Sequence, residues 1–473
     1  MGAPAAVLEA LERDFEQAIE DLSALVRIPG VSADGFDPAA LERSAEAVAA
    51  LLSGVGLEAV EILRVDGAHP YVIGEWLAAG PDAPTALIYA HHDVQPPGRP
   101  DHWKTPPFEP TRGTDGRLYG RGVVDDKAGI VLHAAALRAW LSATARLPVN
   151  VKIVVEGEEE IGSGHLGDFL RAHRDRLAAD VLVLSDTANL ATGLPSLTTS
   201  LRGIVNVDVR VRALDHPLHS GMWGGPVPDA ASALIKLLAR LVGDNGEISV
   251  PEITAGAPKL DDEERAALAD LPFDPVGFRR DAGILEGTVL GAKSAADAYE
   301  QLWFRPALAL LALDGMPLAE AANQLMAEAR ARVGVRVAPG QDPQQVCDAL
   351  VACLHRDPPC GVRVETRVQA LVPGWKTRPA GPAFDAARRA LAAGFGREAV
   401  AIGCGATIPF VGPFAEVLGG VPALLLGLED PPCNAHGENE SLHLGDFQKA
   451  ARASAHLLDE LSRVPRVRGV EGA

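Results

Sequence analysis

The stretch TALIYAHHDVQP, residues 85–96, decides how the chain is read. Thr85 to Ala90 is apolar and follows Pro84, which predicts a buried parallel strand. Side chains alternate along an extended chain, so His91 and Asp93 share one side and His92 looks the other way. A metal-bound imidazole usually passes its second N–H to a carboxylate, and Asp93 is placed to accept it. His91 is therefore the candidate ligand, with Asp93 behind it. Taken alone, the stretch also fits a surface loop carrying two solvated histidines.

Outward from that strand, apolar runs alternate with helical patterns to about residue 200, the signature of an α/β domain with a mostly parallel sheet. VNVKIVVEG and DVLVLSD are the other clear strands; DDKAGIVLHAAALRAWLSA and GHLGDFLRAHRDRLA are predicted helices. The same style returns near the end, with helix FDAARRALAAGF, buried strand GVPALLLGLED and a long closing helix from Leu444. Between them IVNVDVRVRA alternates Val205, Val207, Val209 and Val211 with polar residues, a strand with one wet face. Helix DAASALIKLLARLV, strand ARARVGVRVAP, helix QQVCDALVACLH and strand GVRVETRVQAL complete a smaller α+β pattern of ferredoxin-like type, four antiparallel strands under two helices. The expected organisation is a catalytic domain of residues 1–202 and 380–473 interrupted by an inserted domain, 203–379, with a helical excursion over 251–300.

At 473 residues the chain exceeds the size of one core. A formal charge of -20 repels phosphate backbones and anionic membranes, which excludes nucleic acid and membrane as partners. No apolar run reaches the ~18 residues of a membrane span. MGAPAAVLEALERDFEQAIEDLSALVRIPG has the pattern of one amphipathic helix ending near Pro29 rather than a signal peptide, so the expected compartment is the cytoplasm. Five cysteines with no CxxC pair argue against a disulfide framework or a zinc knuckle.

Acidic and histidine residues recur immediately after the strands: His91 and Asp93; Asp125 and Asp126 at a turn opening a helix; Glu158, Glu159 and Glu160; Asp186; then His436, Glu438 and Glu440. Open α/β sheets bind ligands outside the carboxyl ends of their strands, so the five groups can meet in one crevice. A single such acid is more simply a helix N-cap; five together point to metal. Imidazoles and carboxylates converging there repel one another unless divalent cations lie between them, and two ions sharing a bridging carboxylate use the set economically.

The segments YAHHDVQP, LYGRGVVDDKAG, EGEEEIGSG, VLSD, LHSGMWGG and AHGENESL resemble, in order, the motifs of the M20 family of dinuclear zinc peptidases, particularly its cytosolic dipeptidase and carnosinase-like branch. The resemblance implies that His91 and Asp186 hold one ion, Glu160 and His436 the other, and Asp125 bridges them. It further implies that Asp93 orients His91, that Glu159 is the general base, and that a cis peptide follows Asp125. His219 would reach across a homodimer interface built by the inserted domain, which then serves as lid and dimerisation unit. Arg336 aligns with the family arginine that grips a substrate carboxylate; Asn323 is a weaker candidate beside it, and Thr407 keeps a hydroxyl where the family has one. The chain departs from the family at GCGATIP (403–409), where Gly403 and Cys404 replace Arg and Glu, at Met326, and at His92, which replaces an apolar residue.

The leading expectation is a cytoplasmic metallo-hydrolase that cleaves dipeptides with two divalent ions, zinc first, manganese and cobalt also suiting the ligands. The alternatives are an N-acyl amino acid or succinyl-diamino acid deacylase of the same family, and a non-catalytic binding protein.

Overall fold

The computed structural model describes residues 2–408 and 410–466. These divide into two compact units: the described parts of Met1–Thr199, Arg378–Ile402 and Phe410–Ala473, and those of Ser200–Thr377 and Gly403–Pro409. The first unit is built on a sheet in the order Glu58–Leu63, Tyr71–Trp76, Asn150–Glu156, Thr85–His91, Val181–Ala188, Ala423–Glu429, Ser196–Leu201. Thr85–His91 runs parallel to both neighbours, and Ala423–Glu429 parallel to Val181–Ala188. The flanking strands are antiparallel, so the sheet is mixed around the parallel centre that its apolar runs predict. Central strands are buried on both faces, which is why they carry almost no polar residue before their carboxyl ends.

Helices Lys127–Thr144, Pro382–Phe395 and Leu444–Leu461 pack together in the core of this unit with the N-terminal helix Ala5–Arg13. The expected single N-terminal helix is two, Ala5–Arg13 and Phe15–Val26, broken at Asp14 (ψ 12°). The bend lets Val7, Ala10 and Leu11 reach the core along with Ala18, Ile19 and Leu22. The helix expected from GHLGDFLRAHRDRLA is likewise interrupted, at His173, between Leu166–Ala172 and Arg174–Leu177.

The second unit has the antiparallel sheet order Ala307–Asp314, Glu328–Val337, Gly203–Arg212, Arg363–Val372. Helices Ala230–Leu238 and Pro343–His355 follow the first and third strands of the chain, giving the βαββαβ order of a ferredoxin-like fold. Val205, Val207, Val209 and Val211 are fully buried with Leu234, Leu237 and Leu350 from these helices, and the intervening strand residues are only partly covered. Four short helices between Pro251 and Trp303 form the expected excursion. The strand Ala307–Asp314 (ALALLALD) was not among those named from sequence; it lies at the sheet edge, and Leu310, Leu311 and Leu313 are exposed. Gly403–Pro409, expected with the catalytic segments, belongs to the second unit. Arg202 donates to the Gly405 carbonyl and Gly403 lies against Trp303, which hold the segment there.

Candidate metal centre

Four of the five candidate ligands in the first unit stand at or beyond the carboxyl end of a central strand, and the fifth, Asp125, stands just before a helix. His91 closes Thr85–His91, Asp186 lies within Val181–Ala188, and Glu160 follows Asn150–Glu156 in a short 3-10 turn. Asp125 precedes helix Lys127–Thr144, and its peptide bond to Asp126 is cis. His436 is in the left-handed region, φ 63°, in the loop after Ala423–Glu429.

These side chains form two trios sharing one carboxylate: His91, Asp125 and Asp186, and Asp125, Glu160 and His436, each with its ligand atoms within 4.8 Å of one another. His91 Nε2 is 3.0 Å from Asp125 Oδ1 and 3.7 Å from Asp186 Oδ2. His436 Nε2 is 2.9 Å from Asp125 Oδ2 and 3.3 Å from Glu160 Oε2. Asp125 thus offers one oxygen to each trio, the geometry of a bridging ligand.

The electrostatics of the donor set fit divalent cations. Burial pushes Glu159, Glu160 and Asp186 above the usual carboxylate range, and the neighbouring carboxylates, Asp125 among them, add to the rise. Burial acts on Asp125 in the same direction, but hydrogen bonds with His436 and His91 outweigh it and hold Asp125 low. Burial alone would depress His91; its contacts with Asp125 and Asp186 reverse that and raise it well above the ordinary imidazole value. The carboxylates around His91 and His436 favour positive charge on both imidazoles, the charge that a metal ion would supply. One imidazole and two carboxylates in each trio suit zinc, manganese or cobalt.

Around the trios a second set of contacts fixes geometry. His91 Nδ1 lies 3.1 Å from the Asp93 carbonyl oxygen and 3.4 Å from its carboxylate, leaving Nε2 toward Asp125. The Asp93 carboxylate accepts the backbone N–H groups of Glu159 (3.2 Å) and Glu160 (3.1 Å), so it positions the base candidate and a ligand as well as the histidine. Gln95, which sequence reasoning missed, donates to Glu160 from its backbone N–H (3.1 Å) and side chain (2.8 Å). The Glu440 carboxylate accepts from Gly122, Val124 and Asp125 N–H at 3.0, 3.0 and 3.3 Å, and pairs with Arg121 Nη1 at 2.7 Å. Arg121 Nη2 in turn donates to the His436 and Gly437 carbonyls, both at 3.1 Å. The loop of Asp125 and the loop of His436 are therefore tied by one buried ion pair. The sequence signal for Arg121 lay in LYGRGVVDD, between the strand and the acid pair, without anything to name its partner.

Two neighbours fall outside the centre. His92 is fully buried, its Nε2 3.0 Å from the Pro70 carbonyl, and burial lowers its pKa to about 4: it packs, as its opposite orientation predicts. Glu438 instead pairs with Arg99 at 2.8 Å.

The remaining candidates lie in the second unit. His219 is exposed at the start of a short helix, with Nδ1 accepting from Gly221 N–H. It pairs in register with Gln324, beside Asn323, whose carbonyl accepts from Ser220 N–H at 2.9 Å; Asn323 therefore contributes backbone contact there. Arg336 Nη1 donates to Thr407 Oγ1 at 2.8 Å, bringing together two residues separated by 71 positions.

A carboxylate shared by two trios, each with one imidazole, and a half-buried glutamate beside them form an arrangement suited to a two-metal hydrolytic centre. Residues 87–460 match the peptidase family M20/M25/M40. The chain belongs to that family and is a metallopeptidase. It is 32% identical over 419 residues to the cysteinylglycine-S-conjugate dipeptidase of Corynebacterium striatum, covering 88% of this chain and 89% of that one. It is 29% identical over 404 residues to the beta-Ala-His dipeptidase of Rattus norvegicus, 84% and 80% covered. The fold is shared with the di-peptidase Dug1p of Saccharomyces cerevisiae (TM-score 0.86, 24% identity, 98% and 99% covered).

Proposed function

We propose that this metallopeptidase hydrolyses dipeptides in the cytoplasm, as a homodimer holding two zinc ions per chain. The observation that carries the proposal is the pair of trios sharing Asp125, with Glu159 held beside them. His91 and Asp186 would hold one ion and Glu160 and His436 the other, with Asp125 shared between the two sites. Bound divalent ions supply a water of lowered pKa and a Lewis acid for the scissile carbonyl. Glu159 takes the proton of the attacking water and returns it to the departing amine; its elevated affinity for protons suits both transfers. Asp93 keeps Glu159 and His91 in register through its backbone contacts.

Arg336 and Thr407 grip the substrate carboxylate, a task matched to a planar guanidinium beside a hydroxyl, with Asn323 in support. His219 of the partner polarises the scissile carbonyl. The second unit serves as lid and dimerisation unit, residues 203–379 expected from sequence, and the exposed apolar edge of strand Ala307–Asp314 supports that role. The dipeptidase names of both relatives favour dipeptides over the deacylase alternative. Five free cysteines suit a reducing compartment, and among the described residues no helix is long and apolar enough to cross a membrane.

The test is Glu159→Gln, assayed on a panel of dipeptides and N-acetyl amino acids with metal content measured alongside. Turnover falls by roughly 10²–10⁴ while both ions stay bound; activity within a factor of ten of the parent rules the assignment out.

A further inference from the structure

Arg202 and Arg336, both in the second unit, are half-buried or deeper and close enough to repel. Burial, then the field of Arg336, pushes Arg202 down to about 10, and burial lowers Arg336 as well. Among the described residues neither guanidinium has a carboxylate partner. Arg202, only 9% exposed, donates Nε to the Gly405 carbonyl at 3.1 Å and Nη1 to the Gln301 and Arg305 carbonyls at 3.3 and 3.4 Å. Among the described residues, no hydrogen bond of its Nη2 is found. Among the described residues, Arg336 uses only Nη1, toward Thr407.

Uncompensated cations out of water are costly, and two that repel are costlier still. In a chain of formal charge -20, acids to neutralise them are plentiful, yet none is placed there. Segment 403–407 is moulded to this arrangement. A Cβ at Gly405 would come within 2.9 Å of Arg202 Nη2 and 3.0 Å of the Leu302 carbonyl oxygen, and one at Gly403 within 2.4 Å of Trp303 Cβ. The backbone N–H of Arg202 also donates to the Cys404 carbonyl at 3.3 Å. Arg202 therefore fixes the backbone from which Thr407 meets Arg336, and keeps a free donor pair of its own.

We propose that Arg202 is the second cation of a carboxylate recess formed with Arg336 and Thr407, and that it makes a free C-terminal carboxylate a requirement of the substrate. The inference rests on the dipeptidase reading for the kind of substrate and extends it to a specificity residue. A planar carboxylate accepts from two guanidinium forks and a hydroxyl at once, whereas a carboxamide offers one acceptor oxygen and no charge.

The experiment compares kcat and KM for a dipeptide and its C-terminal amide, in the wild type, Arg202→Gln and Arg202→Lys, with N-acetyl amino acids and their amides run in parallel. One charge-assisted hydrogen bond corresponds to roughly ten- to a hundredfold. Arg202→Gln raises KM for the free acid by about tenfold or more with kcat little changed, leaves KM for the amide unmoved, and Arg202→Lys recovers part of the loss. Equal losses on acid and amide, or an unchanged KM for the acid, overturn the proposal. Should Arg202→Gln fail to fold, Arg202→Lys decides alone: it keeps the charge without the fork, so the acid-over-amide preference falls, and an unaltered preference overturns the proposal. If the wild type cleaves only N-acetyl amino acids, the dipeptidase reading fails, while their acid and amide forms still test Arg202.

Discussion

The Arg121–Glu440 pair offers the sharpest test of how the centre is held. Both side chains are buried, 1% and 0% exposed, and their atoms meet at 2.7 Å. Arg121→Met leaves the Glu440 carboxylate charged and without its cation, and loss of one partner from a buried pair costs about 3–5 kcal/mol. Arg121 also donates to the carbonyls of Pro96, His436 and Gly437; these lose their donor, adding about 1 kcal/mol or more. A total of about 4–6 kcal/mol corresponds, at roughly 2–4 °C per kcal/mol, to a fall in Tm of about 10–20 °C. His436 loses its backbone tether at the same time, so metal affinity falls roughly 10- to 100-fold. The assay is thermal unfolding of metal-loaded protein, with metal affinity read by competition against a coloured chelator. Arg121→Met/Glu440→Gln removes the stranded charge and recovers part of the stability, a coupling that a merely additive pair does not show. An Arg121→Met protein that melts within about 2 °C of the wild type with unchanged metal affinity refutes the reasoning.

Three further outcomes are expected. Glu156, buried against the Tyr89 hydroxyl at 2.6 Å, is pushed up by burial from its ordinary 4.5 to about 8. The folded state then binds its proton more tightly than the unfolded chain, so the contribution is complete below about pH 4.5 and is lost as pH rises through 8, at most about 5 kcal/mol. Glu156→Gln removes this slope, and urea titrations at pH 5, 6.5 and 8 show the variant gaining on the wild type as pH rises; a constant gap contradicts the assignment. Mixing inactive His219→Ala with inactive Glu159→Gln chains restores about a quarter of wild-type activity if the histidine acts across a dimer, since half the sites of each heterodimer are intact; no recovery places His219 within its own chain or outside the reaction. Chelation leaves Glu159, Glu160 and Asp186 repelling one another, so metal-free protein melts lower and readdition of zinc restores the Tm; an unchanged Tm on stripping means that the trios do not hold metal.

What the sequence disclosed and what it withheld divide along physical lines. Strand ends were legible because an apolar run stopping at an acid or histidine is a local signal: His91, Glu160 and Asp186 each follow one. The alternation of Val205 to Val211 likewise located a one-sided strand, confirmed by its buried and half-buried pattern. Ala307–Asp314 escaped because eight nearly uniform apolar residues show no period, and its edge position leaves both faces open. The N-terminal helix pair looked continuous, since the break at Asp14 does not disturb the 3.6-residue pattern. Gln95, and Arg121 with Glu440, were beyond local reasoning: their partners lie 65 and 319 residues away, and nothing in either neighbourhood names the other. The place of segment 403–409 was hidden for the same reason, since Arg202 is the residue that claims it.

The strand Ala423–Glu429 lies between Val181–Ala188 and Ser196–Leu201, so a segment from late in the sequence fills an interior position of the first unit's sheet. Until it is made, the chain lacks both this interior strand and His436, while every residue of the second unit, 403–409 included, has already been translated. A chain stopped before residue 420 is thus a sheet missing one interior strand rather than a smaller enzyme.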